Sequence, residues 1–229
     1  MSKVLVIGDT HAPCMLEGYI PFLKSVKRKY KCDTVVHIGD LVDWAALSYH
    51  EKLPHLKNPN MEFKAALKQV RELYKAFPDC TWLLGNHDTL TERKATTIGL
   101  PRCALKEYGG LWEVPNWEVV PRFDSVIIDG VLYQHGDRGK GGDMAAMKNA
   151  KIEFRSVVQG HHHTQGGCWY TANQRPTHEG GRVFGLQTGC GVDHKLAAMA
   201  YGKKYSQKPL IGCGVVIDGI RAYFEPMEL

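Results

Sequence analysis

Thr34-Val35-Val36-His37-Ile38-Gly39-Asp40-Leu41-Val42-Asp43 decides how this chain is read. Its opening residues form an apolar run of strand length, and Gly39 lets the chain turn sharply where the run ends. The spacing predicts a buried strand over 34–38 that hands Asp40 to the carboxyl edge of a sheet. In open α/β sheets that edge is where ligands bind, so Asp40 and Asp43, three residues apart, point to cation ligation or acid–base work. Taken alone, the Gly-Asp step also fits an ordinary turn.

The pattern repeats on either side. Lys3-Val4-Leu5-Val6-Ile7-Gly8 is an almost wholly apolar run ending in Gly, the pattern of a central strand covered on both faces, and Asp9-Thr10-His11 follows at once. Asp and His spaced this way on a loop leaving a strand can offer one hard oxygen and one imidazole nitrogen to a metal. A capped turn with a solvated His is the plainer alternative. Between the two strands, apolar positions at Leu16, Tyr19, Ile20, Leu23, Val26 and Tyr30 have helical spacing, so the chain opens as a βαβ unit. A third apolar run, Thr81-Trp82-Leu83-Leu84, delivers Gly85-Asn86-His87-Asp88. The Asn86 side-chain carbonyl is a neutral oxygen ligand, and His87, if it stays off a metal, can serve as a proton donor. Helical spacing over 62–77, through Phe63, Ala66, Leu67, Val70, Leu73 and Phe77, ends at Pro78.

Asp129-Gly130 and Asp218-Gly219 are two-residue turn signatures, predicting hairpins of 125–128 with 131–134 and of 214–217 with 220–224. The first hairpin ends in Gln134-His135-Gly136-Asp137. Behind it, Arg138-Gly139-Lys140-Gly141-Gly142 has the glycine content of a loop that can approach phosphate, with Arg138 and Lys140 as its cations; a solvated surface loop is the alternative. Ser156-Val157-Val158-Gln159 leads into Gly160-His161-His162-His163-Thr164. Side chains alternate along an extended chain, so His161 and His163 can reach one site while His162 faces away. After Asp43, Trp44 and Tyr49 open a proline-interrupted excursion through Pro54 and Pro59. Their rings can stack on a base or line a substrate wall, or else pack against the neighbouring helix. Residues 91–123 carry helix fragments and two Trp assigned to packing. The tail over 168–226 reads as further strands with a loop around 197–208, and with no repeat or linker, residues 1–229 are taken as a single domain.

At 229 residues and 44% hydrophobic content the chain can bury one large core. A net charge of +5 without a long basic tail suits anionic substrates and does not mark a nucleic-acid scaffold. The seven cysteines, Cys14, Cys32, Cys80, Cys103, Cys168, Cys190 and Cys213, are scattered, odd in number and lack metal-finger spacing. They read as reduced, mostly buried thiols of a cytosolic protein. No apolar run approaches membrane-spanning length and the first residues lack a signal core, so the expectation is a soluble, cytoplasmic protein with no membrane partner.

Collected, the strand-end residues are Asp9, His11, Asp40, Asn86, His135, His161 and His163, with His87 and Asp43 beside them. In their order, Asp-x-His, Gly-Asp-x-x-Asp, Gly-Asn-His-Asp, the His of His-Gly-Asp, and Gly-His-x-His, the chain resembles the calcineurin-like metallophosphoesterase superfamily, over residues 9–163. The resemblance implies an α/β fold, a sandwich of two mixed β-sheets flanked by helices, with ligands on loops at one end. It implies a first metal held by Asp9, His11 and His163, a second held by Asn86, His135 and His161, and Asp40 bridging both. His87 would protonate the leaving oxygen, with Asp43 orienting its ring. Two divalent ions roughly 3.5–4 Å apart would neutralise phosphate charge, make hydroxide available near neutral pH and hold attacker and leaving group in line. Imidazole, carboxylate and amide donors admit manganese, iron, zinc or nickel, with manganese favoured.

Departures within the superfamily narrow the substrate. Its protein serine/threonine phosphatases carry Arg after the second Asp and Arg before Gly-Asn-His, where this chain has Trp44 and Leu84. The expected substrate is therefore a phosphodiester or nucleotide-like ester, nucleic acid included, approached by Trp44, Arg138 and Lys140. A phosphomonoesterase or protein phosphatase is the alternative within the class. A non-catalytic protein-binding scaffold on the same fold is the alternative outside it, and such members typically lose ligand residues that this chain keeps.

Overall fold

Alternation along β1 (Lys3–Ile7) sets the layers. Val4 and Val6 face a second sheet, while Leu5 and Ile7 face helices. The computed structural model describes residues 1–49, 58–172, 181–196 and 208–228. Along the chain follow α1 (Tyr19–Tyr30), β2 (Thr34–His37), α2 (Pro59–Ala76), β3 (Thr81–Leu83), α3 (Leu90–Thr97), α4 (Tyr108–Leu111), β4 (Glu118–Val120), β5 (Val126–Ile128) and β6 (Val131–Gln134). Then come α5 (Ala145–Glu153), β7 (Val157–Gln159), β8 (Gly166–Ala172), β9 (Arg182–Thr188), β10 (Gly212–Ile217) and β11 (Arg221–Pro226).

One sheet has the order β11-β10-β1-β2-β3-β4 and the other β5-β6-β7-β9-β8. Both are mixed. β1 to β4 run parallel, with β10 antiparallel to β1, and β6, β7 and β9 run parallel between antiparallel edges. Val36, Ile38 and Leu83 meet Tyr133, Val158, Phe184 and Leu186 between the sheets. On the outer face of the first sheet, Leu5, Ile7 and Val35 pack with Tyr19, Leu23, Val70 and Leu73 of α1 and α2. Leu132, Ala150 and Val157 close a smaller core under α5.

Element ends differ from the sequence expectation in instructive ways. α1 starts at Tyr19, not near Leu16, because Gly18 sits at φ 84° and turns the chain into the helix. α2 starts earlier than expected: the Asn58 side chain accepts from the backbone N–H groups of Asn60 and Met61, and Pro59 occupies the first turn. The segment through Pro54 and most of the expected loop at 197–208 lie outside the described residues. Five of the seven cysteines are buried, Cys168 is partly so and Cys103 is exposed.

The carboxyl-terminal part, which carries none of the motifs, props up the loops that do. Gly191 N–H donates to Asp9 O (2.7 Å), Cys190 bridges Asp9 and Ile211, and Leu210 N–H donates to His163 O (2.7 Å).

Candidate metal centre

Each ligand-type residue leaves its strand through a tight turn. His11, Asp40 and His161 hold left-handed φ angles of 45°, 47° and 66°. Three non-glycine residues in that region at one site mark a backbone held in place by its surroundings. The glycines at these strand ends have a further cause. A Cβ on Gly85 would fall on the Asp40 carboxylate, and one on Gly160 would fall on the Asp9 carboxylate. Absence of a side chain at these positions lets the loops after β3 and β7, one from each sheet, close onto the carboxylates that follow β2 and β1.

The resulting cluster has two parts that share Asp40. Asp9, His11, Asp40 and His163 form one group, and Asp40, His135 and His161 form the other, with ligating atoms in each within 4.8 Å of one another. Asp9 Oδ2 and His11 Nε2 lie 3.0 and 3.2 Å from His163 Nε2. Asp40 Oδ2 lies 3.6 Å from His11 Nε2 and 3.3 Å from His135 Nε2, and Asn86 Oδ1 lies 3.1 Å from His135 Nε2. Backbone donors tie the carboxylates down: Asp40 Oδ1 accepts from His87 N–H (2.8 Å), and Asp9 accepts from His161 N–H through both Oδ1 (3.1 Å) and Oδ2 (2.9 Å). His162 belongs to neither group, and its ring lies edge-on to His161.

These donors suit divalent cations. The carbonyl of Ile38 accepts from His135 Nδ1 (3.0 Å), and the Asp43 carboxylate accepts from His11 Nδ1 (2.9 Å). An acceptor at Nδ1 places the proton there and turns Nε2 toward the cluster, as second-shell partners of metal-bound imidazoles do. Burial, with the neighbouring charge of His87 next, lowers the pKa of His11, and burial lowers that of His161 to about 4. Burial acts against the charge of Asp40, but His135 and His87 outweigh it and hold Asp40 well below the ordinary carboxylate range. Burial acts against charge on His135 as well, and there Asp40 prevails, raising it to about 10. The buried carboxylates thus draw positive charge into the cluster. A cation would take the place of the His135 proton, and its binding would be coupled to that proton's release.

A third grouping, His11, Asp43 and His87, is a hydrogen-bond network by its chemistry. Burial raises the Asp43 pKa, but bonds from His11 and His87 bring it down to about 2, so the carboxylate is an acceptor facing two Nδ1–H groups. The resemblance implies that it orients His87, and its contacts divide between His11 and His87. Asp43 Oδ1 is 2.9 Å from His11 Nδ1 but 3.4 Å from His87 Nδ1, whose short bond (2.6 Å) goes to the Asp43 backbone carbonyl. Against the opposing effect of burial, Asp40 and Asp43 raise the His87 pKa to about 10.

Asp88, the last residue of Gly-Asn-His-Asp, links two of the cluster's loops. Its carboxylate accepts from Val42 N–H, Gly85 N–H and the Trp82 indole at 3.2, 2.8 and 3.3 Å, joining the Asp40–Asp43 loop to the Asn86–His87 loop. Burial, with Asp40 next, raises its pKa to about 7.

Beside the cluster lies a cleft of about 410 Å³ bounded by Asn86, His87, His161, Tyr49, Arg93 and Arg122, among others. Trp44, expected at a substrate wall, is buried instead; its ring packs 6.1 Å from Phe63 and 5.4 Å from Trp112, so it offers no face to a base. Tyr49, its companion in that expectation, is 55% exposed and does line the cleft. Arg138 and Lys140 do not line it: Arg138 donates to Phe123 O (2.7 Å), and the Lys140 backbone is held by Asn149. The cleft's cations are Arg93, on α3, and Arg122, just past β4, both from the stretch that carried no recognisable pattern.

A two-sheet sandwich gathering Asp, His and Asn donors at one rim defines a class of metal-dependent phosphoesterases. The chain belongs to the calcineurin-like phosphoesterase family, whose profile matches residues 2–184. Similar solved structures include a metallophosphoesterase from Sphaerobacter thermophilus, at 15% identity and TM-score 0.48 over 99% of this chain and 88% of that one. Others are Vacuolar Protein Sorting 29 from Cryptosporidium parvum, at 13% and 0.47 over 100% and 98%, and nuclease MPE from Pseudomonas putida, at 13% and 0.42 over 98% and 87%. No curated protein matches the chain. No helix among the described residues is long and apolar enough to cross a membrane.

Proposed function

We propose that this protein hydrolyses phosphodiesters or nucleotide-like phosphate esters, using two divalent metal ions. The observation that carries the reading is the sharing of Asp40 by two donor groups, with His87, held through Nδ1 by the Asp43 carbonyl, on the wall of the same cleft. Asp9, His11, Asp40 and His163 would hold one ion, and Asp40, Asn86, His135 and His161 the other. Manganese is the ion we favour, and iron, zinc and nickel suit the same donors. Such a pair supplies charge neutralisation for the phosphoryl group and a water of lowered pKa.

The chain's own residues do the rest. Asp40 fixes the spacing of the two groups, and Asp43 and the Ile38 carbonyl orient the rings of His11 and His135. His87, with Nδ1 bonded to the Asp43 carbonyl, directs Nε2 away from that bond and toward the leaving oxygen, to which it gives its proton. Tyr49, at the edge of the cleft, offers a ring to the leaving group. Pairing of β10 with β1 supports residues 1–229 as a single domain, and the seven unpaired cysteines support a cytoplasmic setting.

The test is His87→Asn. Turnover of esters with alkoxide-like leaving groups should fall by about 10²–10⁴-fold, with bound metal unchanged. Esters of p-nitrophenol, whose leaving group needs little protonation, should suffer far less. Loss of metal, or an equal slowing of both ester classes, would remove His87 from the proton-donor role.

A further inference from the structure

The cleft over the donor cluster does not end at its own wall. A larger cavity of about 740 Å³ lies against α3, and the two are both bounded by Tyr49, Arg93 and Arg122. Charge is distributed unevenly along this second cavity. At its far end Arg102 is engaged by Glu92 (3.3 Å) and Glu107 (3.0 Å), and Tyr108 donates to Glu92 (2.8 Å), so the cation there is already answered.

At the junction it is not. Arg122 is fixed by Asp137 through Nε (2.7 Å) and by Thr89 through Nη1 (3.4 Å), in an ion pair whose side chains are 19% and 6% exposed. A guanidinium has five N–H donors, and Nη2 of Arg122 has no hydrogen-bond partner among the described residues. The guanidinium of Arg93 has no carboxylate within ion-pair distance among the described residues; it lies 5.1 Å from the Tyr49 ring centroid, with Lys94 3.5 Å from the same ring. An anchored arginine and an unpaired one, side by side in the wall of two cavities, bring planar N–H forks to the oxygens of a tetrahedral phosphate. Apolar walls at Leu84, Val119 and Pro121 and the half-exposed rings of Tyr49 and Phe123 then offer room for an organic body.

We propose that the larger cavity is a substrate subsite, in which Arg93 and Arg122 hold a second phosphate of an ester whose scissile phosphate lies at the donor cluster. The placement of the scissile group rests on the phosphoesterase reading; the anion subsite is separately measurable. The substrate class is a small nucleotide with two phosphate groups, not a mononucleotide or a neutral alkyl ester.

The probes are phosphonate analogues of thymidine 3′,5′-bisphosphate and thymidine 5′-monophosphate, in which P–C bonds replace the ester P–O bonds so that neither turns over. Titrated calorimetrically against the manganese-reconstituted full chain, the bisphosphonate should bind about tenfold or more tightly than the monophosphonate. Arg93→Gln, at an exposed helix position where folding is not at stake, should bring that ratio close to unity. Equal binding of the two probes by the wild-type chain, or an undiminished ratio in Arg93→Gln, would overturn the subsite. Turnover of bis-p-nitrophenyl phosphate, measured separately, reports on the phosphoesterase reading. A silent enzyme with an intact, Arg93-dependent ratio would sink that reading and leave the subsite standing.

Discussion

The donor cluster and the cleft wall beside it are built in opposite ways. Asp9, His11, Asp40 and His135 are each no more than 3% exposed, and every one has a backbone or side-chain partner that fixes its orientation. On the wall, Arg93 and Tyr49 are exposed, and the Tyr49 ring lies under the cations of Arg93 and Lys94. Burying charge is tolerable only when it is paired and bonded, so the cluster's geometry is set before any ligand arrives. Of the two arginines on the wall, only Arg122, paired with Asp137, is constrained in that way among the described residues. Under the proposed function, chemistry falls to the first region and choice of substrate to the second.

The strongest way to break that division is Asp40→Asn. Asp40 belongs to both donor groups, so the variant should lose both metal ions, whereas His163→Asn and His135→Asn should each weaken one group. Its turnover should fall by more than the about 10²–10⁴-fold expected for loss of a proton donor, on good and poor leaving groups alike. Elemental analysis of the three variants alongside rates is the measurement. Full metal content in Asp40→Asn would mean that the two groups do not share a ligand.

Asp43→Asn sharpens the account of the cluster's supporting residues. Acting through His11, Asp43 should change metal affinity by about 10–100-fold, the usual cost of a lost second-shell partner, and excess metal should restore activity. If Asp43 instead served His87 first, as its place in the motif suggests, metal affinity would hold and the dependence of rate on the leaving group would steepen. The 2.9 Å contact to His11 against 3.4 Å to His87 favours the former outcome.

Much of the cluster was legible in the sequence because a buried strand that ends at Gly and is followed by Asp or His leaves little choice about where those side chains go. Asp9, Asp40 and His161 follow that rule after Gly8, Gly39 and Gly160, and Asn86 follows Gly85 in the same way. What the sequence could not show was why the glycines are needed, since the carboxylates that press on Gly85 and Gly160 come from other strands. Arg122 obeys the same strand-end logic, but β4 is three residues long and gives no periodicity to find it by. Arg93 follows His87 within one turn of α3, a position that becomes meaningful only once the helix is placed against the cleft. Trp44 failed for a related reason: adjacency to Asp43 says nothing about inward or outward, and at φ 49° the chain turns its indole into the core. Trp44→Ala should therefore cost about 3–5 kcal/mol of stability, read by denaturant unfolding. It should bring no selective rise in KM for nucleotidic over aryl substrates; such a rise would return Trp44 to the substrate wall.

The smallest expected effect belongs to Arg138 and Lys140, and it tests where the cleft wall stops. Both sit in a glycine-rich loop after His135 with the charge expected of a phosphate-binding loop, yet neither bounds the cleft. Arg138 donates to the Phe123 carbonyl, one residue from Arg122, and Lys140 engages Asn149 through its backbone, a contact that Ala keeps. Lys140→Ala should therefore be silent within about 0.5 kcal/mol, the range of ordinary surface changes, which is roughly a factor of two in kcat/KM. Arg138→Ala removes the tether to Phe123 and can at most loosen the neighbourhood of Arg122. The same small change should then appear for nucleotidic and aryl esters, in KM more than in kcat. A loss above tenfold on nucleotidic substrates alone, in either variant, would show that the loop reaches the bound phosphate and that the wall extends past Asp137.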